Sequence, residues 1–322
     1  MIKAAPISFV PYLKRVIWGG DKICRYKKIE SLHSDVGESW EISAVPGSIS
    51  VVADGPYKGM TLEELTERFG AALLGERVYE CYGGKFPLLV KLIDASDNLS
   101  VQVHPCDELA MRLHGCRGKS EMWYVIDAEK DARIFVGFNR KLTPEEYRQR
   151  VADHTFFETL ASHQSCAGDV FYPPAGRVHA IGAGNLLVEI QESSDITYRI
   201  YDYDRLGADG KPRELHTQRA GMALDYAYGK NFKSPPVESG RKDAEIVRCE
   251  HFTTRRLVVK GSQNVDLDAG SFTVVMCIDG ELTIRYPEGE TTLAAGHTVL
   301  LPAILSHVDF SGNATALLSQ SL

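Results

Sequence analysis

The chain has 322 residues, of which 44% are hydrophobic and 25% charged, and its formal net charge at pH 7 is -7. This composition is typical of a soluble globular protein that is long enough for two domains. The acidic balance argues against nucleic-acid binding and no stretch approaches the roughly 20 apolar residues of a membrane span, so neither nucleic acid nor membrane is predicted as a partner.

The cysteines indicate the redox environment. There are seven of them, and none forms a Cys-x-x-Cys pair. An odd number of scattered thiols, together with an N-terminus that lacks the apolar core of a signal peptide, favours reduced cysteines and a cytoplasmic location. Cys106 and Cys116 lie near the candidate ligands described below. We interpret both as free thiols, with thiolate ligation as the alternative.

The first part of the chain alternates in the manner of strands. Residues 38–43 and 48–53 show β periodicity, and the strongly apolar stretch 86–94 predicts a buried strand. Between them, Thr61 is placed to cap a helix that Gly70 ends. These segments predict a mainly β region with a short helix.

In the middle of the chain the pattern becomes helical. Thr143 at the N-cap and Pro144 at the first helical position predict a helical insert at about 139–165. The β pattern returns at Val170, and residues 231–240, with two prolines and a glycine, predict a linker. Short strands and turns follow to the end of the chain.

The polar residues of greatest interest lie at the end of a predicted strand. Ser100, Gln102 and His104 alternate with apolar residues, so the three polar side chains share one face. A carboxylate at Glu121 and a second imidazole at His179 adjoin later β segments. Two imidazoles, a carboxylate and an amide oxygen suit a borderline divalent ion such as zinc. Each residue alone is more often an ordinary polar side chain than a ligand, and the combination leaves both interpretations open.

The segment around His179 recurs near the end of the chain. Four residues have counterparts 128 positions later: Gly168, Pro174, His179 and Asn185 correspond to Gly296, Pro302, His307 and Asn313. The second copy has Thr273 at the position of Glu121 and no preceding Gln-x-His. This favours a duplication whose second copy has lost the ligands, with His307 in a structural role.

The spacing Gly-x5-Pro-x-Gly-x2-His, which ends at His179, resembles the second signature of the cupin superfamily, although Ala183 stands where its trailing Asn would fall. Longer motifs resemble the type I mannose-6-phosphate isomerases, above all their short bacterial form. These motifs are LSVQVHP at 99–105, GKSEMWY at 118–124, QESSDITYR at 191–199 and YDYDR at 201–205.

The resemblance implies a mainly β fold with two cupin-type jelly-roll barrels. The catalytic cupin domain would span residues 1–235 and carry the helical insert, and a degenerate barrel without metal ligands would span 236–322. The resemblance also implies one Zn²⁺ per chain. Its ligands would be Gln102, His104, Glu121 and His179.

The implied reaction interconverts mannose 6-phosphate and fructose 6-phosphate through a cis-enediol. Arg199 would be essential, since a guanidinium stays protonated and can stabilise a developing oxyanion. Ser100 and Lys119 would lie near the substrate phosphate. Gly118 replaces a histidine of the longer family members, so a proton-transfer role for that histidine cannot apply here.

The group that moves the proton remains open among three catalytic candidates, Lys119, Glu192 and Asp195. Strict alternation from Glu192 would put Asp195 on the opposite face, and a bulge could change that.

Two other functions also remain open. One is a different cupin enzyme, such as a metal-dependent oxygenase or another sugar isomerase. The other is a non-enzymatic sugar-binding or regulatory cupin. We expect a small sugar phosphate as the partner and a monomer or weak homodimer as the assembly.

Overall fold

The computed structural model describes residues 2–30, 33–207, 210–229, 231–237 and 240–322. Within these ranges the chain is mainly β, as predicted, and its strands form three sheets.

Two of the sheets come from the part of the chain before residue 202. The six-stranded sheet has, in spatial order, the strands Val170–Phe171, Glu121–Ala128, Asn185–Glu192, Leu88–Ala95, Val36–Ile42 and Tyr12–Gly20. The five-stranded sheet has, in spatial order, the strands Tyr198–Tyr201, Val101–Val103, His179–Ile181, Arg133–Phe138 and Leu160–Gln164.

The eight-stranded sheet contains the C-terminal strands and two strands from the start of the chain. Its order is Asp243–Arg248, Phe252–Asp266, His307–Ser321, Thr273–Tyr286, Thr298–Leu301, Ile7–Val10 and Val51–Val52, with Gly289–Ala294 paired to Thr273–Tyr286. The N-terminal residues therefore complete the C-terminal sheet. In the described ranges each strand order has free ends, so the predicted barrels are open sheets and do not close.

The helices are short and lie between the strands. The α-helices are Lys22–Lys27, Leu62–Phe69, Ala71–Leu74, Glu76–Tyr82, Asp107–His114, Pro144–Ala152 and Thr217–Ala223, and the 3₁₀ turns are Gly55–Tyr57 and Phe156–Thr159. None of the helices in the described ranges is long and apolar enough to cross a membrane.

The two helices expected from the sequence are present. Thr61 caps the first, where its hydroxyl accepts from the Glu64 amide and the Glu64 carboxylate accepts from the Thr61 amide. Thr143 caps the second through its hydroxyl alone, which accepts from the Glu146 amide. The predicted insert at 139–165 is helical in its middle, and its last residues form the strand Leu160–Gln164.

The six-stranded sheet is covered on both faces, which explains the uninterrupted burial of Leu88–Ala95. Leu88, Val90 and Leu92 pack with residues of the helices and of the eight-stranded sheet. Ile93, on the other face, packs with residues of the five-stranded sheet. Alternate residues of this strand therefore face opposite ways. One face packs on the helices and the eight-stranded sheet and is called the structural face, and the other looks toward the five-stranded sheet.

The two copies of the internal repeat have similar backbones. Gly168 and Gly296 both have positive φ, at 88° and 83°, and each precedes a strand. His179 and His307 each begin a further strand. His179 is buried, whereas His307 is exposed and its ring contacts the Ser306 hydroxyl.

A buried ion pair near the start of the chain also contacts the C-terminal strands. Lys27 Nζ donates at 2.7 Å to both carboxylate oxygens of Glu41, and also to the carbonyl of Gly296 in the eight-stranded sheet's turn. Both side chains are almost fully buried. Removing the lysine would leave the carboxylate without its cation in the interior.

We expect Lys27→Met to reduce the free energy of unfolding by roughly 3–5 kcal/mol, because the Glu41 charge stays buried and unpaired. The midpoint of urea unfolding measures this. Arg25→Met is the control, since Arg25 lies on the same helix in an exposed pair with Asp21 and should change stability by less than about 1 kcal/mol. Equal midpoints for the two variants would contradict the prediction.

Candidate active site

The four predicted metal ligands converge between the five- and six-stranded sheets. His104 and His179 come from the five-stranded side, and Glu121 begins a strand of the six-stranded sheet. His179 Nε2 lies 3.1 Å from one Glu121 oxygen, and His104 Nε2 lies 3.4 Å from the other. Gln102, the cross-strand partner of His179, places its amide nitrogen 3.3 Å from His179 Nε2.

Backbone carbonyls orient both imidazoles. His104 Nδ1 donates to the Ile196 carbonyl at 2.7 Å, and His179 Nδ1 donates to the Arg177 carbonyl at 2.9 Å. Because a carbonyl can only accept, the proton lies on Nδ1 and the lone pair of each Nε2 faces Glu121. This is the arrangement of a histidine that binds metal through Nε2.

The protonation states also suit a metal ion. Burial lowers the pKa of His179 to about 3, and burial followed by the charge of Lys119 lowers that of His104. Burial alone would raise the pKa of Glu121, but opposing interactions, the charge of Lys119 first among them, hold that pKa well below its usual value. Neutral imidazoles and an ionised carboxylate are the forms that coordinate a cation.

Neither buried oxygen of Glu121 accepts a well-aligned hydrogen bond from the described residues. The Lys119 ammonium lies 2.6 Å from one of these oxygens, and both oxygens keep lone pairs that can bind a metal ion. His104, Glu121 and His179 therefore form a group that could hold a divalent metal, and the predicted Gln102 lies beside His179. Cys106 and Cys116 belong to no metal-ligating group in the described part of the chain, and both are free thiols.

Lys119 reaches this cluster from the adjoining cleft. Its Nζ lies 2.6 Å from Glu121, 3.2 Å from His104 Nε2 and 3.8 Å from Glu189. The side chain is buried yet also lines the cleft, so it can contact both the ligand cluster and a molecule in the cleft.

The cleft beside the cluster has a volume of about 390 Å³. Five basic and three acidic side chains line it, so its local charge opposes the negative net charge of the chain. The charged residues are Lys14, Lys91, Lys119, Arg199, Arg213, Glu38, Glu189 and Asp195, and the predicted Ser100 and Gln102 lie beside them.

Arg199 is tied to the strand that carries the ligands. It pairs with Gln102 across the five-stranded sheet, and its Nε donates to Ser100 Oγ at 3.3 Å. Its Nη1 donates to the carbonyl of Glu214 at 2.9 Å. Ser100 Oγ is in turn 3.4 Å from the Gln102 side-chain oxygen. These contacts hold the guanidinium at the cleft wall.

Glu192 is the predicted catalytic residue that the structure brings neither to the cleft nor to the ligand cluster. Its side chain accepts from the Ser120 amide at 2.7 Å and lies near His251 of the C-terminal part. Alternation explains the difference, because Glu192 shares its parity with Val188 and Ile190, which pack on the structural face. Asp195 lines the cleft, although it lies beyond the end of that strand in a segment without regular structure.

A charged group on the opposite wall of the cleft was not identified from the sequence. Lys91 Nζ lies 2.9 Å from Glu189 and 3.7 Å from Glu38, and it sits 5.0 Å from the centre of the Trp40 ring. The signal was present, since Lys91 lies between Val90 and Leu92 and Glu189 lies between Val188 and Ile190, so each charge interrupts an apolar run. A buried charge of this kind calls for a partner or a function.

Two family models match parts of the chain, and two relatives match nearly all of it. The family model for the catalytic domain of type I phosphomannose isomerase matches residues 9–132, and that for the mannose-6-phosphate isomerase cupin domain matches residues 242–321. The mannose-6-phosphate isomerase of Streptococcus mutans is 34% identical over 325 residues, which covers 99% of each chain. The mannose-6-phosphate isomerase ManA of Bacillus subtilis is 36% identical over 318 residues, covering 98% of each.

A solved structure resembles the whole chain. The crystal structure of the mannose 6-phosphate isomerase from Bacillus subtilis superposes with a TM-score of 0.89 at 33% identity, over 98% of this chain and 99% of that one. Sequence and fold thus agree over nearly the full length.

Proposed function

Since the chain belongs to the type I mannose-6-phosphate isomerases, we propose that it interconverts mannose 6-phosphate and fructose 6-phosphate. This is an aldose–ketose isomerisation. The observation that carries the proposal is that a cleft lined by an excess of basic side chains lies beside a His/Glu/His cluster, which Lys119 contacts from the cleft. A sugar phosphate needs both, a polarising centre for its carbonyl end and cations for its phosphate.

The metal of this proposal is Zn²⁺, one ion per chain. Two neutral imidazoles, a carboxylate and an amide oxygen are ligands that zinc accepts. When bound, the ion would act as a Lewis acid toward the negative charge that develops on the substrate oxygens.

The side chains of the cleft have separate roles in this proposal. The proton moves between C1 and C2 through a cis-enediol, and Arg199 stabilises the oxyanion because it stays protonated. Ser100, held between Arg199 and Gln102, and Lys119 donate hydrogen bonds to the substrate. Of the proton-transfer candidates, Lys119 and Asp195 line the cleft. Lys119 is favoured, because its Nζ adjoins the ligand cluster.

The setting of the enzyme is also a proposal. Seven free cysteines support a reducing compartment, and we place the protein in the cytoplasm. We expect a monomer or a weak homodimer, with a catalytic cupin domain at 1–235 and, at 236–322, a degenerate cupin-like domain without counterparts of the active-site metal ligands.

A coupled assay with mannose 6-phosphate tests the function. We expect turnover that disappears after chelation and returns when Zn²⁺ is added. A zinc-loaded protein that binds the sugar phosphate without converting it would refute an enzyme and favour a binding module. Oxygen uptake by the iron-loaded protein would favour the oxygenase alternative, and full activity of the metal-free protein would refute the metal requirement.

A further inference from the structure

A second group of metal-ligating side chains lies away from the cleft. Asp107, Glu192 and His251 each offer a ligand atom, and the three atoms lie within 4.8 Å of one another. Asp107 begins the helix Asp107–His114, Glu192 ends a strand of the six-stranded sheet, and His251 immediately precedes the strand Phe252–Asp266. None of the three lines the cleft of the candidate active site.

Each of the two carboxylates uses one oxygen to hold the segment that precedes Glu121. Asp107 Oδ1 accepts from the Gly118 amide at 2.6 Å, and Glu192 Oε2 accepts from the Ser120 amide at 2.7 Å. Asp107 Oδ2 has only a long contact with Arg117, at 3.4 Å. The second oxygen of each carboxylate is therefore available to another ligand.

Glu192 provides the independent sign that a ligand is missing. Its residue exposure is 2%, and its Oε1 accepts no hydrogen bond from the described residues. Burial raises the pKa of this carboxyl to about 7, so the surrounding protein compensates its charge poorly. A bound cation would supply the missing compensation.

The position of His251 fits coordination. Its Nδ1 lies 3.3 Å from Glu192 Oε1. Two ligand atoms of a tetrahedral ion with bonds of about 2.1 Å are roughly 3.4 Å apart. The other ring nitrogen lies 3.4 Å from Glu250, which can orient the ring as carboxylates orient metal-bound histidines.

We propose that Asp107, Glu192 and His251 bind a second divalent cation of the zinc class, separate from the ion of the candidate active site. Its role is structural. Two ligands come from the catalytic part and one from the eight-stranded sheet, so the ion links the two parts and fixes residues 118–120 beside the active site.

Metal counting tests the proposal. The metal-free chain is dialysed against a buffered concentration of free Zn²⁺, and the zinc per chain is measured by atomic emission. We expect the wild type to bind one ion more than Glu192→Gln or His251→Ala. Glu192→Gln is the sharper variant, because its amide oxygen can still accept from Ser120 while the charge is lost. His307→Ala, an exposed histidine of the same sheet, is the control and should bind as many ions as the wild type.

Glu121→Gln separates this proposal from the proposed function. That variant should lose the active-site ion and keep the second, and added Zn²⁺ should still raise its melting temperature. The rise should vanish in the Glu121→Gln/Glu192→Gln double variant. A wild type that binds a single ion, or a Glu192→Gln protein that binds as many as the wild type, would overturn the second site. Circular dichroism verifies that each variant folds. If His251→Ala does not fold, the zinc content of Glu192→Gln decides the test.

Discussion

Glu121→Gln is expected to release the active-site metal and to lower kcat/KM for mannose 6-phosphate on the order of 10³-fold, since a Lewis acid supplies several kcal/mol of transition-state stabilisation. Glu121 is the anionic member of the ligand cluster, and both of its oxygens face an imidazole. Glutamine keeps the volume of this fully buried side chain and removes its charge. The loss would therefore report on coordination and not on packing.

The measurement pairs metal content with steady-state kinetics. His307→Ala is the matched control, because His307 occupies the position of His179 in the second copy of the repeat and is exposed. It should retain metal and rate. The Glu121 change also deprives Lys119 of its 2.6 Å partner, so the melting temperature must be followed alongside. A folded Glu121→Gln protein with wild-type zinc and wild-type turnover would refute Glu121 as a ligand.

Short-range periodicity predicted the ligand strand well. Ser100 and Gln102 lie at the cleft, and His104 reaches the cluster beside it, as the alternation of one strand requires. The rule does not extend to Asp195, because the strand ends at Glu192 and residues 193–197 are irregular. What the local sequence did not reveal is which face of the strand ending at Glu192 would look toward the cleft, because that depends on the sheets packed against it.

Long-range pairing limited the rest of the prediction. The strand Ile7–Val10 joins Thr298–Leu301, nearly the whole chain away, and no local pattern encodes that choice. Lys91 and Glu189 face each other across two adjacent strands, although the two residues are 98 positions apart in sequence. Their role becomes visible only when the register of the two strands is known. Several helices of four to eight residues were also too short for a clear periodic signal.

Arg199→Ala is expected to leave the metal and the fold intact and to lower kcat by about 10²–10³-fold, the usual cost of removing a donor that stabilises developing charge. The guanidinium lies at the cleft wall, where Ser100 and the Glu214 carbonyl fix its orientation. It is held in place before substrate arrives, so little reorganisation is needed as the oxyanion forms. Zinc content and melting temperature should match the wild type.

Kinetic constants distinguish this role from simple phosphate binding. If Arg199 acts on the transition state, kcat falls more than KM rises; a residue that only binds the phosphate would raise KM and leave kcat. Arg205→Ala is the control, because Arg205 pairs with Asp202 and Asp97 and does not line the cleft. Arg199→Lys should recover only part of the rate, since an ammonium keeps the charge without the two-pronged geometry that reaches Ser100 and Glu214 together. Near-normal kcat in a folded, zinc-loaded Arg199→Ala protein would exclude the guanidinium from the isomerisation step.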